Sequence, residues 1–528
     1  MTEESPAPIP TTSPATPTEP TPVLTPARSA AILAALLMGL LLGALDNFVV
    51  ATVLPTIALD LHDVSGQVFV VSSYLIAQTV AIPIFGKLSD RFGRRSFYLL
   101  GLSIFLVGSA LSGFSQNLNE LIAFRAIQGL GSGAFFTVVF SIVADLFPPK
   151  AAARLAGILS GVFGIAIVFG PLLGSYIVDT TTWRWIFFVN LPIGFAAIAL
   201  VLGTMGPMRP TGPRRTFDTL GATLLSAWVG ALIFALIETS HGWAWTDPRT
   251  IGLLLVALVL CPLFLWQESR ADDPLVPLRY FRIPLVSAAS GVNFLRGAIL
   301  VVVVTFVPIF VRFGLGGTVD ESRDVLYAFM VPMVIGAAIG GAMVGRFGYR
   351  FPTSIGLALT SIGCLLLTAV PLTPPIFRWD AIIIPTGLAG SLIPLGLGIG
   401  LTFAPTQLAI QYSVPKSDVG TGNSLVWFLG NLGGSIVVSL LASYQQTVYQ
   451  SLGPAGPAPA YTNPPTPAFL AYAAQATSAT ASSIHDVWWV LVAVALAGMV
   501  AALLVRGVLP KTADEPRGTP AGEAVVTA

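Results

Sequence analysis

Long apolar runs alternate with short polar turns along almost the whole chain. The runs measure about 17 to 25 residues, the length a helix needs to cross a hydrocarbon core of roughly 30 Å. Fourteen membrane-spanning helices are predicted, at 30–54, 67–86, 97–114, 120–144, 155–178, 185–204, 218–238, 249–267, 285–313, 325–345, 352–371, 381–411, 419–443 and 485–506. The flanks break the pattern. Residues 1–27 are rich in Pro, Thr, Ser and Glu, which predicts a disordered tail rather than a signal peptide, and 510–528 reads as a second such tail. Between the last two runs, 444–483 is a long outer loop rich in Ala, Pro, Thr, Ser and Gln, of which Pro467 to Ala481 can form an Ala-rich helix.

Composition removes the soluble alternatives. With 54% hydrophobic and only 10% charged residues, the 528-residue chain reads as an all-α polytopic membrane protein. A formal charge of +1 gives no basis for a nucleic-acid surface. Cys261 and Cys364 both lie inside apolar runs and read as packing residues, not as a disulfide or metal site. His62, His241 and His485 lie in or beside outer loops without clustered acids, so no metal site is expected. No cofactor is called for, and the absence of a G-x-x-x-x-G-K-[ST] loop argues against a nucleotide-driven pump.

The few charges orient the helices. Four cations crowd the turn Gly86-Lys87-Leu88-Ser89-Asp90-Arg91-Phe92-Gly93-Arg94-Arg95-Ser96, which places it on the cytoplasmic side. With both termini also inside, nineteen of the 26 Lys and Arg fall on that side and five outside. Losing one span would invert every later loop, so this bias supports the even number. The turn recurs as Gly341-Ala342-Met343-Val344-Gly345-Arg346-Phe347-Gly348-Tyr349-Arg350, with Gly345 where Asp90 stood. Because the copies are eight predicted helices apart, a six-helix bundle is repeated after a two-helix insertion. The expected organisation is therefore 6+2+6: a bundle over 28–208, an inserted pair with its connectors over 209–284, and a second bundle over 285–509.

Ionisable groups at membrane depth mark functional sites by default. Of the 25 acids, only Asp46 lies well inside a bundle span. Counted along ideal helices, Asp46 is roughly 12 Å and Arg125 roughly 9 Å from the outer membrane face. Similar depth makes Arg125 the expected partner. Burial favours a neutral carboxyl group and a guanidinium favours a charged one, so a rearrangement that changes their balance couples protonation to conformation. The alternative is a permanent structural ion pair. Gln128 lies one turn from Arg125, is expected on the same face and is a candidate for the substrate cavity.

Helix five carries Gly161, Gly170, Pro171 and Gly174, a spacing that lets backbones pack closely and, at Pro171, invites a kink. In the second bundle Arg296 lies roughly 18 Å from the inner end of its helix. It either bonds backbone carbonyls or faces the cavity and attracts an anionic or zwitterionic substrate. Asn293, Gln407, Gln411 and Asn423 are further cavity candidates, with interhelical hydrogen bonding as the alternative. Trp183, Trp185, Trp243, Trp245, Trp379, Trp488 and Trp489 near outer helix ends read as an aromatic belt.

The turn pattern G-x-L-x-D-R-x-G-R-R resembles the loop between helices two and three of the major facilitator superfamily. Gly170-Pro171-x-x-Gly174 is similar to that superfamily's antiporter motif. Leu45 to Ile57, Arg125 to Gly131 and Trp183 to Gly194 resemble segments of its fourteen-helix drug/proton antiporters, the QacA-like and EmrB-like branch. The resemblance implies two pseudo-symmetric bundles, a proton relay at Asp46 and Arg125, and a conformational latch at Gly86, Asp90, Arg91, Gly93, Arg94 and Arg95. It further implies a proton-coupled exporter of small amphipathic or hydrophobic compounds, a multidrug efflux protein of the cell membrane. Its partners would be a small-molecule substrate, protons and the lipid bilayer, and a monomer is the expected state. Export of a dedicated lipid, siderophore or self-made metabolite is the alternative on the same fold. A polytopic membrane enzyme is a remote one, since no acid-base or metal cluster is visible.

Overall fold

The computed structural model describes residues 25–61, 67–147, 149–206, 217–240, 243–317, 319–370, 387–415, 418–454 and 466–503. Most of both expected tails, and with them 207–216, 371–386, 455–465 and Trp379, lie outside the described residues. The first part of the chain forms α1 (Pro26–Asp60), α2 (Gln67–Phe92), α3 (Arg94–Phe114), α4 (Leu118–Leu146), α5 (Pro149–Thr180), α6 (Trp185–Phe188) and α7 (Asn190–Thr204). Next come α8 (Thr219–Ser240) and α9 (Pro248–Arg270). The last part forms α10 (Pro284–Ile309), α11 (Val319–Phe347), α12 (Arg350–Thr368), α13 (Leu388–Ser413), α14 (Val419–Leu452) and α15 (Pro467–Leu503). Among the described residues thirteen helical stretches are long and apolar enough to cross a membrane. The protein is a multi-pass membrane protein.

Several predicted boundaries shift for local reasons. The sixth span divides at Val189 into α6 and α7, because Pro192 has no N–H to offer the carbonyl one turn earlier. A π-helical turn, Phe310–Gly314, follows Pro308 at the end of α10. The expected outer loop is largely helix: α14 runs on to Leu452, and Pro467 begins one continuous helix with the last span. Gln475 ties the two together by donating to the Leu452 and Gly453 carbonyls.

The charged turn is also tighter than a loop. α2 continues through Phe92, and Gly93 alone separates it from α3. Gly93 has φ 100°, a left-handed value that other residues adopt only under strain. Gly348, φ 69°, does the same near the end of α11. The internal repeat thus ends each copy of its turn on the same backbone device.

Glycine contacts extend the repeat through the packing. Gly129 and Gly133 of α4 lie against the Tyr74 and Gln78 carbonyls of α2, and Gly396 and Gly400 of α13 lie against those of Phe329 and Met333 on α11. Likewise Gly131 meets Gly101 and Phe105 on α3, while Gly398 meets Gly356 and Thr360 on α12. A methyl group at most of these positions would press on backbone, so each pair of helices is held at close approach.

The two parts touch where α14 packs on α2 and α4, and where α11 and α13 pack on α5. α8 lies along both α2 and α14 and carries α9 on its other side. Leu255, Val256, Leu258, Val259 and Leu263 of α9 are exposed, as suits a helix facing lipid. The expected tryptophan belt is only partly present. Trp185, Trp245 and Trp489 are exposed, but Trp488 is buried edge-on to Phe310, and Trp183 is buried with its indole N–H on Asp60. An indole whose N–H reaches an acid fills a core position as well as an interfacial one.

Candidate functional site

α1, α4 and α7 converge to bring Asp46, Arg125, Gln128 and Asn190 to one point, with no more than 4% of any of these residues exposed. Arg125 pairs with Asp46 Oδ2 through Nη1, which also donates to Gln128 Oε1 at 2.8 Å. Gln128 Nε2 donates back to Asp46 Oδ1 at 2.8 Å, and Asn190 Nδ2 donates to the same oxygen at 3.1 Å. Asn190 is itself held by Ser109, whose hydroxyl oxygen accepts from it at 3.0 Å and whose hydroxyl donates to the Phe187 carbonyl. Both carboxylate oxygens are therefore engaged by donors from other helices, the condition under which a charge tolerates burial.

A second line of contacts leads away from the ion pair. The Arg125 guanidinium lies 4.2 Å from the centre of the Tyr74 ring, and the Tyr74 hydroxyl donates to Ser132 Oγ at 2.7 Å. Gln78 Nε2 donates to the same Ser132 oxygen at 2.8 Å. Across the junction of the two parts, Asn431 Nδ2 of α14 donates to Gln78 Oε1 at 3.5 Å. The buried acid is thereby connected to the other half of the molecule.

The sequence reading found Asp46 and Arg125 and set Gln128 among the cavity residues. Its amide is a member of the ion-pair network. Tyr74, Gln78, Ser109, Ser132 and Asn190 were missed as site residues. A signal existed for Ser132, which shares one face of α4 with Arg125 and Gln128 at helical spacing.

Carried through the repeat, the α2, α3 and α4 members of this network have no polar twin among the described residues. The glycine register sets Arg125, Gln128 and Ser132 opposite Leu392, Leu395 and Ile399, and Tyr74, Gln78 and Ser109 opposite Phe329, Met333 and Cys364. All six counterparts belong to one dry core cluster. The polar groups of the second half stand elsewhere. Arg296 donates to Thr406 Oγ1 at 3.3 Å and lies 3.8 Å from the centre of the Phe403 ring, while Thr406 also reaches Asn293 Oδ1 at 3.0 Å. Gln407 and Gln411 form a separate group, both donating to Asn423 Oδ1.

The helix-five residues support the site from behind. A methyl on Gly170 would lie 2.6 Å from Phe48 Cβ, and one on Gly174 would lie 3.0 Å from Val53 and 3.3 Å from the Val49 carbonyl. α5 is thus pressed onto the stretch of α1 that follows Asp46, with Pro171 between the two contacts. Gly161 lies on the same helix, and its surroundings fall outside the described residues.

At the charged turn, only some of the expected group comes together. Asp90 is buried between Arg94, 3.1 Å away, and the first turn of α14, where Thr421 donates to it at 3.4 Å and Gly420 presses against its carboxylate. Arg94 Nε also lies 3.0 Å from Asp145 of α4. Gly86 packs on Ser424 and Thr137, with room for no side chain. Arg91 instead lies over the Phe92 ring and Arg95 donates to the Leu202 carbonyl, so neither belongs to the Asp90 contact. Lys87 reaches Asp273 at 2.6 Å, beyond α9. Further along that connector Tyr280 and Arg279 bond Asp418, just before α14, and burial together with this carboxylate raises the Tyr280 phenol above its ordinary range.

Comparison with known proteins accords with this arrangement. The chain is 34% identical over 77% of its length to Multidrug resistance protein 3 of Bacillus subtilis (strain 168), and the match covers 77% of that protein. It is 32% identical over 76% of its length to Multidrug transporter protein MdtP of the same organism, covering 72% of that protein. The crystal structure of the human organic anion transporter MFSD10 (TETRAN) superposes with a TM-score of 0.58 at 16% identity, covering 91% of this chain and 100% of that one, a likeness of fold alone. Residues 36–438 match the Major Facilitator Superfamily, and the chain belongs to that superfamily.

Proposed function

We propose that the protein is a proton-coupled exporter of small amphipathic or hydrophobic compounds, working by alternating access between its two halves. The observation that carries this reading is the closed Asp46–Arg125–Gln128–Asn190 network at membrane depth, in a chain whose relatives are named as multidrug transporters. Protonating Asp46 removes the counter-charge of Arg125 in surroundings that screen poorly, so the protonated network favours a different arrangement of α1, α4 and α7. The contacts through Tyr74, Ser132 and Gln78 to Asn431, and through Gly170 and Gly174 to α5, supply routes by which that rearrangement reaches the second half. A gradient of one pH unit provides about 1.4 kcal/mol per proton, enough for a tenfold concentration ratio at one-to-one exchange.

In this reading α5 is the fourteenth span, the division is 6+2+6, and the charged turn and both termini face the cytoplasm across the cell membrane. Arg296 favours a second reading, export of one dedicated metabolite on the same fold. The function is tested with the native protein in proteoliposomes, using ethidium as a cationic probe together with neutral and anionic aromatic compounds. Uptake into vesicles that are acid inside, the sense equivalent to export, is expected and should collapse when a protonophore is added. Equal movement with and without the gradient overturns proton coupling.

Asp90, Arg94 and Gly86 act in this scheme as the latch that holds α2 against α14 while the opposite side is open. Asp90→Asn removes its charge from the helix N-terminus and from Arg94, interactions of about 1–2 kcal/mol together. A cysteine replacing Ser424, in a Cys261→Ser background, is therefore expected to react with a soluble maleimide about tenfold faster when Asp90→Asn is added. An unchanged rate removes Asp90 from the latch.

A further inference from the structure

Arg296 is 5% exposed and, among the described residues, pairs with no carboxylate and bonds no backbone carbonyl. Its contacts are the Phe403 ring and a single hydroxyl, from Thr406. A guanidinium has five N–H groups and cannot give up its charge in ordinary conditions, so this one is short of acceptors. Asn293, one turn away on the same face of α10, adds to the surplus. Its Oδ1 accepts from Thr406, while its Nδ2 is buried and has no acceptor among the described residues. A buried cation with an unmet donor beside it calls for an anion.

The walls next to this point are apolar. Phe403 lies under the guanidinium, Leu300 and Val304 follow Arg296 by one and two turns of α10, and all three are only partly buried; Phe48 of α1 packs on the same core cluster from the first half. Phe48 is two residues beyond Asp46 and is the residue against which Gly170 packs. An apolar stripe on α10, faced by the Phe403 ring, therefore leads away from a charged end at Arg296. The Arg296 cluster is not a displaced copy of the Asp46 network either. By the register of the glycine contacts, Phe403 and Thr406 match Phe136 and Val139, both apolar.

We propose that Arg296, with Asn293 and Thr406, is an anion subsite on the transport path, taking the carboxylate of a monoanionic amphipathic compound whose aromatic or aliphatic body lies along Phe403, Leu300 and Val304. This rests on reading the chain as an exporter and names the substrate class of that same path. The fork of the guanidinium holds the carboxylate in its plane, and Asn293 donates to the oxygen nearest α10. A cationic compound is repelled at this end and binds, if at all, by its apolar part.

The experiment is equilibrium binding to the full chain in lipid nanodiscs, with no proton gradient, using three probes that share one aromatic body: 1-naphthylacetate, 1-naphthylacetamide and 1-naphthylmethylammonium. The native protein is expected to bind the carboxylate about tenfold or more tighter than the neutral amide, and the ammonium more weakly than either. Arg296→Gln should abolish the preference, and the measurable binding of the amide that remains through its apolar body reports that the variant is folded. Arg296→Lys should keep part of it. Equal binding of carboxylate and amide by the native protein overturns the proposal without any variant, and so does a preference that survives in Arg296→Gln. Asp46→Asn should keep the preference. Failure of gradient-driven transport with the binding preference intact would therefore count against proton coupling and not against this subsite.

Discussion

In proteoliposomes, Asp46→Asn is expected to abolish gradient-driven transport, a drop of about a hundredfold or more on the scale set by losing an essential proton-transfer group. The change is nearly isosteric, and the carbonyl oxygen of the new amide can still accept from Gln128 and Asn190. The amide cannot exchange a proton, and its N–H₂ faces Arg125 where an oxygen had been. Movement of a bound compound down its own gradient should persist, since nothing in that process needs the acid. Loss of both activities would mean that the site is needed for folding or binding, and full retention of driven transport would remove Asp46 from coupling. Asp46→Glu is expected to fall between, because it titrates but places its oxygens about 1.5 Å further from α1, out of register with Asn190.

The second large effect concerns Arg125. Arg125→Leu should lower thermal stability by about 3–5 kcal/mol, because it leaves the Asp46 carboxylate buried without its counter-charge. Asp46 is 3% exposed, so water cannot replace the lost partner. The loss also removes the guanidinium from the Tyr74 ring, worth about 1 kcal/mol. The double variant Asp46→Asn with Arg125→Leu should recover much of the deficit, because no charge then remains unpaired. Unfolding followed by size-exclusion of heated, detergent-solubilised protein measures all four species of the cycle. Strictly additive losses would show that the two groups do not depend on one another, against the contact on which the site is built.

How far the site could be read in advance differed from residue to residue. Asp46 stood out because it is an acid amid apolar residues, a feature visible in one dimension. Arg125 followed from a depth count along two helices, and Gln128 from helical spacing. Asn190 could not be found that way. It lies at the beginning of α7, in a segment noticed as a motif, but what brings it to Asp46 is the helix break before Pro192 and its bond to Ser109. Tyr74, Gln78 and Ser132 are ordinary polar residues in apolar helices, and only the close crossing at Gly129 and Gly133 aligns them. The same crossing in the second half joins apolar residues, so the repeat in the sequence predicted the packing there without predicting its chemistry.

The charged turn shows the converse. Its composition set it apart in the sequence, yet its four cations do four different things. Arg94 serves Asp90 and Asp145, Lys87 reaches Asp273, Arg91 lies on Phe92 and Arg95 holds the end of α7. Long cationic side chains have several partners within reach, and the helix that happens to lie beside each one decides.

By itself, then, the sequence determined the membrane-spanning class, the positions of most helices, the repeated turn and Asp46 as an acid set within an apolar span. These follow from the length of apolar runs and from the cost of charge in hydrocarbon, both properties of local composition. The tertiary structure decided which neutral polar groups complete the Asp46 network, that the counterparts of its α2, α3 and α4 members are apolar, and that Arg296 has, among the described residues, an aromatic ring and a hydroxyl for company but no acid. Those outcomes depend on helix crossings held by glycines far apart in the chain, and a contact between distant residues leaves no mark on the local pattern of either one.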